Sequence, residues 1–222
     1  MSESRLTKVY IIDDHPVFRR GVSALIEHAD DLTVCGESAG SLAELDEVIA
    51  AEPDVVLVDI SLKETNGLEV VKRLRVRDSR MRLLVVSNHS EAIYAERCLR
   101  AGAAGFINKQ EAAEELLVAI RKVVTGSFYL STKTTDDIVS RITRSKHEEE
   151  GWSSVNGLSD RELQVFELVG RGHSRQEIAE RLHLSPKTVD AYRDNVKSKL
   201  GFKDANELVR AAVQWVFLEN SG

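Results

Sequence analysis

Asp13, Asp14, Asp59, Ser87 and Lys109 are the residues best placed for chemistry. They follow four apolar runs of strand length, Val9–Ile12, Val55–Val58, Leu83–Val86 and Gly105–Ile107. In open α/β sheets, ligands bind in the crevice outside the carboxyl ends of the strands. The five side chains therefore converge on one pocket holding three carboxylates, a hydroxyl and an ammonium. Carboxylates held together repel one another unless a hard cation sits between them, and Mg²⁺ takes oxygen ligands of this kind. A lysine and a hydroxyl opposite the cation suit the oxygens of a phosphoryl group. The pattern predicts a phosphate-accepting site.

The elements that must position these residues alternate five times over residues 6–125. Strands are expected at Lys8–Asp13, Leu32–Glu37, Val55–Asp59, Arg82–Ser87 and Gly105–Lys109. Helices are expected at Pro16–His28, Ser41–Ala51, Asn66–Arg77, Glu91–Ala101 and Glu111–Thr125. Continuous apolar strands imply a sheet buried on both faces, hence a parallel sheet covered by helices. The fold class is α/β, a (βα)₅ doubly wound domain. A dinucleotide site is excluded at its first turn, because Asp13-Asp14-His15-Pro16 stands where a glycine phosphate loop is needed.

With 222 residues, 42% hydrophobic content and 30% charge, the chain has room for two domains with real cores. No apolar run approaches the roughly 18–20 residues of a bilayer span. Residues Met1 to Arg5 lack the apolar core of a signal peptide, so a cytoplasmic chain with no membrane partner is expected. Cys35 and Cys98 are expected to be buried reduced thiols.

A second register, free of strand-like runs, begins near Leu158. Ser159-Asp160-Arg161-Glu162, Ser174-Arg175-Gln176-Glu177 and Asp204-Ala205-Asn206-Glu207 match the helix capping box, and Ser185-Pro186 is a cap with proline at the first helical position. These starts predict a smaller, all-α domain with a helix-turn-helix. Arg171 to Lys203 carries eight basic and four acidic residues, a modest basic stripe that a solvated surface would also explain. The expected organisation is a first domain over residues 1–130, a linker over 131–157 with a short helix at Thr132–Arg144, and a second domain over 158–222. Lys146 to Gly151 reads as a flexible link.

Taken in order, the marks resemble the NarL/FixJ family of two-component response regulators. Asp13-Asp14, Asp59, Gly67-Leu68-Glu69, Ser87, Ala101-Gly102-Ala103-Ala104-Gly105-Phe106 and Lys109 are similar to a receiver domain. Leu158 to Glu162, Gly172-His173-Ser174, Glu177-Ile178-Ala179, Leu184 to Val189 and Lys199-Leu200-Gly201 are similar to a LuxR-type helix-turn-helix. The resemblance implies that Asp59 is the phosphoacceptor for a sensor histidine kinase. Asp13, Asp14, Asp59 and the Ser61 carbonyl would hold Mg²⁺, Lys109 would pair with the phosphoryl oxygens, and Ser87 and Phe106 would be the switch pair. His15 and His89, at the mouth of the pocket, read as loop surface.

For the second domain the resemblance implies a recognition helix at Pro186–Lys199 in the major groove of double-stranded DNA. Lys187, Thr188, Ala191, Tyr192 and Asn195 would face the bases, and Arg175, Arg193, Lys197 and Lys203 the phosphates. Most of the apolar stripe of the last helix, Asp204–Leu218, should pack on the domain's own core, and the resemblance implies a homodimer contact there through Leu208, Ala211 and Trp215. Lys63 and Gln110 depart from the family's prolines. Asp190 and Asp194 stand where basic residues are common, either accepting from bases or pairing with lysines on the helix surface. The implied protein is a regulator and not an enzyme. A metal-dependent phosphate-ester hydrolase is the rival reading, but nothing in the sequence looks like a substrate pocket or a general acid near Asp59, and a signalling adaptor that no longer binds DNA is a further alternative.

Overall fold

Five short strands form one parallel sheet in the order β2-β1-β3-β4-β5: β1 (Thr7–Ile12), β2 (Leu32–Ser38), β3 (Val55–Val58), β4 (Arg82–Ser87) and β5 (Gly105–Asn108). The computed structural model describes residues 5–63, 65–143 and 155–220. The chain divides into two compact units, Met1–Val139 and Ser140–Gly222.

In the first unit the strands are joined by α1 (Pro16–Glu27), α2 (Leu45–Ala50), α3 (Gly67–Arg77) and α4 (Glu91–Ala101), α5 (Ala112–Val124) follows the last strand, and α6 (Thr132–Thr143) carries the chain past Val139. Val55 to Val58 and Leu83 to Ser87 are buried without alternation, as a sheet covered on both faces requires. Val9, Ile11, Val55, Leu57, Leu84 and Val86 share one core with Val22 and Ile26 of α1 and Leu116, Ile120 and Val123 of α5. Their alternates Tyr10, Ile12, Val56, Val58, Leu83 and Val85 are buried on the opposite face.

The doubly wound α/β architecture is as the sequence implies, with three local differences. The helix expected at Ser41–Ala51 is a 3₁₀ turn, Leu42–Glu44, followed by the short α2. Its cause is the Glu44 carboxylate, which accepts from the Gly40 and Ser41 amides at 3.0 Å and tightens the entry. Cys98 is buried, but Cys35 is only half-buried, and neither is in a disulfide. Val9 pairs with Val34 and Tyr10 with Gly36, so Cys35 is the extra residue of a bulge on the edge strand β2. Finally, Tyr129 pairs with Gly105 beside β5, in an apolar stretch too short to read as a strand. Its amide donates to Ala104 at 2.9 Å and its carbonyl accepts from Phe106 at 3.0 Å.

The second unit contains α7 (Asp160–Gly170), α8 (Arg175–Arg181), α9 (Pro186–Leu200) and α10 (Ala205–Asn220). The serine caps act as the spacing implies: Ser159 and Ser174 close full capping boxes with Glu162 and Glu177, and Ser185 caps the proline-led α9. The turn between α8 and α9 places His183 in the left-handed region, at φ 52°. Gly170 ends α7 where a Cβ would lie 2.3 Å from the Ala212 carbonyl of α10, so only glycine allows the two helices to approach this closely. The stretch Lys146–Gly151, expected to be a flexible link, lies outside the described residues.

Two of the side chains expected at a homodimer contact are turned inward. Leu208 and Trp215 are buried, with the indole 5.5 Å from the Phe166 ring of α7, and Ala211 is half-buried. Because α10 lies along α7, its stripe of large apolar residues is used by the domain's own core. Among the described side chains, the large apolar residues that α10 exposes are Val209, Val213 and Phe217, four residues apart. Truncating a buried aromatic costs about 3–5 kcal/mol. A Trp215→Ala chain is therefore expected to lose that much in the unfolding transition of the helical unit. Urea unfolding followed by circular dichroism measures it, and an unchanged midpoint would remove Trp215 from the core.

Candidate functional site

Strand register assembles the site. Ile12 pairs with Val58, and Ser87 pairs with Asn108. The residues just beyond, Asp13, Asp14, Asp59 and Lys109, therefore emerge on the same edge of the sheet as Ser87. The chain leaves β1 toward β2 on one side and returns to β3 on the other, so Asp13 and Asp59 flank the point where strand order reverses. The Asp59 amide donates to the Ile12 carbonyl at 2.9 Å, which fixes the height of the acid on the sheet.

Asp13, Asp14 and Asp59 are all buried, at 2%, 5% and 2% exposure. Lys109 Nζ lies 2.6 Å from Asp13 Oδ2 and 2.7 Å from Asp59 Oδ2, with its side chain 6% exposed. The ammonium also sits 4.5 Å from the centre of the Phe18 ring, a cation–π contact. The other Asp59 oxygen accepts from the Ser61 amide at 3.2 Å. Burial, reinforced by the charge of Asp59, raises the Asp13 pKa above the ordinary carboxylate value although Lys109 and the His15 amide oppose the shift.

Ligand atoms of Asp13, Asp14, His15 and Asp59 lie within 4.8 Å of one another. Three buried carboxylates, one of them resisting ionisation, form a donor set suited to a hard divalent cation. The arrangement fits Mg²⁺. His15 is more than loop surface: its ring is half-exposed, yet Nδ1 lies 2.8 Å from Asp14 Oδ1 and 3.2 Å from Asp13 Oδ1. His89 is likewise engaged, its Nε2 2.9 Å from the Ser61 hydroxyl and its ring tilted by 37° against Tyr94 with the centroids 4.5 Å apart. Ser61 and His89 thus join the loops after β3 and β4 across the pocket mouth.

Ser87 is fully buried, and its Oγ accepts a long hydrogen bond, 3.4 Å, from the His89 amide. Phe106 is buried on β5, paired with Val85 two residues before Ser87. Gly67 begins α3 beneath the acid, where a Cβ would lie 1.8 Å from the Asp59 carbonyl oxygen. Phe18, the Ser61 hydroxyl and the closeness of Gly67 to Asp59 were not legible as site features. Phe18 follows Pro16 by two positions, a spacing that carries no signal by itself. Lys63 and Gln110 lie in ordinary loops, and every peptide among the described residues is trans.

In the second unit, Val189 and Val196 are buried and fix the rotation of α9. Lys187, Ala191 and Asn195 are exposed on the far side, together with Asp194 and Ser198. Tyr192, Arg193 and Lys197 are half-buried flankers. Thr188 is occupied at the helix start, its hydroxyl 2.8 Å from Ser185 Oγ. Asp190 does not pair with Lys187: its carboxylate accepts from Arg175 of α8 at 2.8 Å. Asp194 pairs with Lys197 at 2.8 Å. Lys199 turns back to the buried Glu162 at 2.7 Å. Lys203 is exposed just after α9, and its amide donates to Glu207.

Residues 9–121 match the family model of the response regulator receiver domain, and residues 156–212 match that of the bacterial regulatory proteins of the luxR family. The chain is 33% identical over 215 residues to the oxygen regulatory protein NreC of Staphylococcus aureus strain MRSA252, covering 96% of this chain and 99% of that protein. A solved LuxR-family two-component response regulator from Aurantimonas sp. SI85-9A1 is 26% identical with a TM-score of 0.58, covering 63% of this chain and 100% of that one. RcsB from Salmonella enterica serovar Typhimurium, solved bound to promoter rprA with the phosphomimetic BeF3-, shares the fold at a TM-score of 0.60 and 21% identity, covering 94% and 99% of the two chains. No helix among the described residues is long and apolar enough to cross a membrane.

The raised Asp13 pKa has a sign that can be measured. A carboxyl whose folded pKa lies above its unfolded value stabilises the fold fully below the unfolded value, and that contribution is lost as pH rises through the folded one. At neutral pH without divalent cation, Asp13→Asn is therefore expected to melt at a higher temperature than the parent, with the gap closing on acidification. Added Mg²⁺ should raise the melting temperature of the parent more than that of the variant. Equal responses to Mg²⁺ would remove Asp13 from the cation site.

Proposed function

The chain belongs to the NarL/FixJ family of response regulators, in which a receiver domain is joined to a LuxR-type DNA-binding domain, and on that premise we propose that phosphorylation of Asp59 by a partner sensor histidine kinase controls its dimerisation and its sequence-specific binding to duplex DNA. The division of labour is a receiver over residues 1–130, a linker over 131–157 and a DNA-binding domain over 158–222, in a chain acting in the cytoplasm. The protein regulates transcription and is not an enzyme. The single observation that carries the reading is the setting of Asp59: a buried carboxylate with one oxygen 2.7 Å from the Lys109 ammonium and the other on the Ser61 amide.

In the proposed step, a carboxylate oxygen of Asp59 forms a bond to the phosphorus of a phosphohistidine. The P–N bond breaks, its electron pair stays on the kinase imidazole, and an acyl phosphate remains. Asp13, Asp14, Asp59 and the Ser61 carbonyl would hold Mg²⁺, which offsets negative charge on the transferred group. Lys109 exchanges part of its contact with Asp59 for a phosphoryl oxygen, a charge-assisted hydrogen bond of the same kind. Ser87 then leaves its weak bond to the His89 amide for the new oxygens, and Phe106 moves into the space it clears. In the second domain, Lys187, Thr188, Ala191, Tyr192 and Asn195 face the bases, while Arg175, Arg193, Lys197 and Lys203 meet phosphates. The Asp190 contact uses only Nη1 of Arg175, so the rest of the guanidinium fork can meet a phosphate while the pair stands.

The homodimer contact belongs on the exposed stripe Val209, Val213 and Phe217 rather than on Leu208 and Trp215, which the core already uses.

Two outcomes test the reading. With a small acyl-phosphate donor and Mg²⁺, the intact chain should gain the mass of one phosphoryl group, and Asp59→Asn none, because the amide is a poor nucleophile. Equal labelling would place the acceptor elsewhere. Val213→Glu, on the exposed face of α10, should leave the domain folded but weaken cooperative binding to a two-site duplex about ten-fold or more. Gel-shift titrations that superimpose on those of the parent would exclude this face from the dimer.

A further inference from the structure

Asp194 is an acidic residue in the middle of the exposed face of α9. The buried Val189 and Val196 set the helix rotation, and Lys187, Ala191, Asp194, Asn195 and Ser198 fall together on the opposite side. Ala191, one turn before Asp194, carries only a methyl group, so nothing bulky keeps a groove floor away from the carboxylate. The two aspartates of this helix are held differently. Asp190 is tied across to α8 by Arg175, whereas Asp194 is 70% exposed and meets Lys197 on its own helix. A surface pair of that kind exchanges partners readily.

We propose that Asp194 is a specificity-determining residue that accepts a hydrogen bond from cytosine N4 in the major groove. The proposal rests on the DNA-binding reading above and adds what one position of the site must contain. A carboxylate offers acceptors only, and the major-groove edges present two donors, cytosine N4 and adenine N6. Guanine presents N7 and O6 and thymine presents O4, all acceptors that repel the carboxylate. Adenine N6 lies beside adenine N7, which would face the second carboxylate oxygen. Cytosine N4 lies beside a C–H, so cytosine is the better match. Lys197, released by Asp194 on binding, is free to reach a phosphate. Selection at this position thus combines an attraction to cytosine with a repulsion of guanine and thymine.

The test is enrichment of the full-length chain, treated with an acyl-phosphate donor, on a duplex library randomised over the binding site. Titrations of single-position variants of the winning sequence then follow. The parent should enrich cytosine at one fixed position per half-site and bind the guanine-substituted site about ten-fold more weakly. Asp194→Asn should move the preference at that position to adenine, since an amide pairs with adenine N6 and N7. Asp194→Ala should lose the preference and bind non-cognate duplex more tightly, because a charge that repels phosphates is gone. Asp190→Ala should keep the cytosine. If Asp194→Ala enriches the same sequences in the same ratios as the parent, Asp194 reads no base. If the parent itself shows no salt-dependent binding to any duplex, the DNA-binding reading falls, and this assignment with it.

Discussion

Two carboxylates and one ammonium, each withdrawn from water, hold the receiver pocket in balance. Lys109 stands 2.6 Å from Asp13 and 2.7 Å from Asp59, and the burial that strengthens this attraction also penalises each charge. The balance is incomplete, because three acids face one lysine and Asp13 takes up its proton more readily than an ordinary carboxyl. A pocket in that condition offers a donor set suited to a hard divalent cation. Everything that positions Asp59 serves this balance: the Ile12 carbonyl below it, the Ser61 amide beside it and the Gly67 backbone packed against its own carbonyl.

Much of this was legible before any coordinates, because the chemistry lies at strand ends and strand ends are marked by where apolar runs stop. Val55 to Val58 predicts both a buried strand and the position of Asp59. Capping residues were equally readable: Ser159, Ser174 and Ser185 cap the helices that their spacing implies. Periodicity reveals an apolar face without saying which part of it a neighbouring helix covers. Trp215 and Leu208 carry the right spacing for a partner contact, but α7 occupies that face. Cys35 looks like a core strand residue, but a one-residue bulge turns it partly outward. Side-chain contacts between distant loops, such as Ser61 with His89, leave no trace in local sequence.

The two aspartates of α9 show how an exposed charge acquires meaning from its neighbours. By type alone, Asp190 and Asp194 are equivalent departures from a basic helix. Arg175 takes one of them into the scaffold and leaves the other facing outward. Net charge says little about such a surface, since the pattern of donors and acceptors decides which duplex is tolerated.

Tyr129 adds a constraint on how the molecule can be divided. Its backbone pairs with Ala104 and Phe106 along the outer side of β5, although the matched receiver segment ends at residue 121 and α5 ends at Val124. A fragment cut at either point would leave the Phe106 amide and the Ala104 carbonyl bare on the sheet edge, the kind of edge on which separate chains can pair. The self-sufficient piece of this protein is therefore longer than its catalogue of functional residues suggests. The few residues past α5 act as a selvedge that keeps the sheet from fraying into its neighbours.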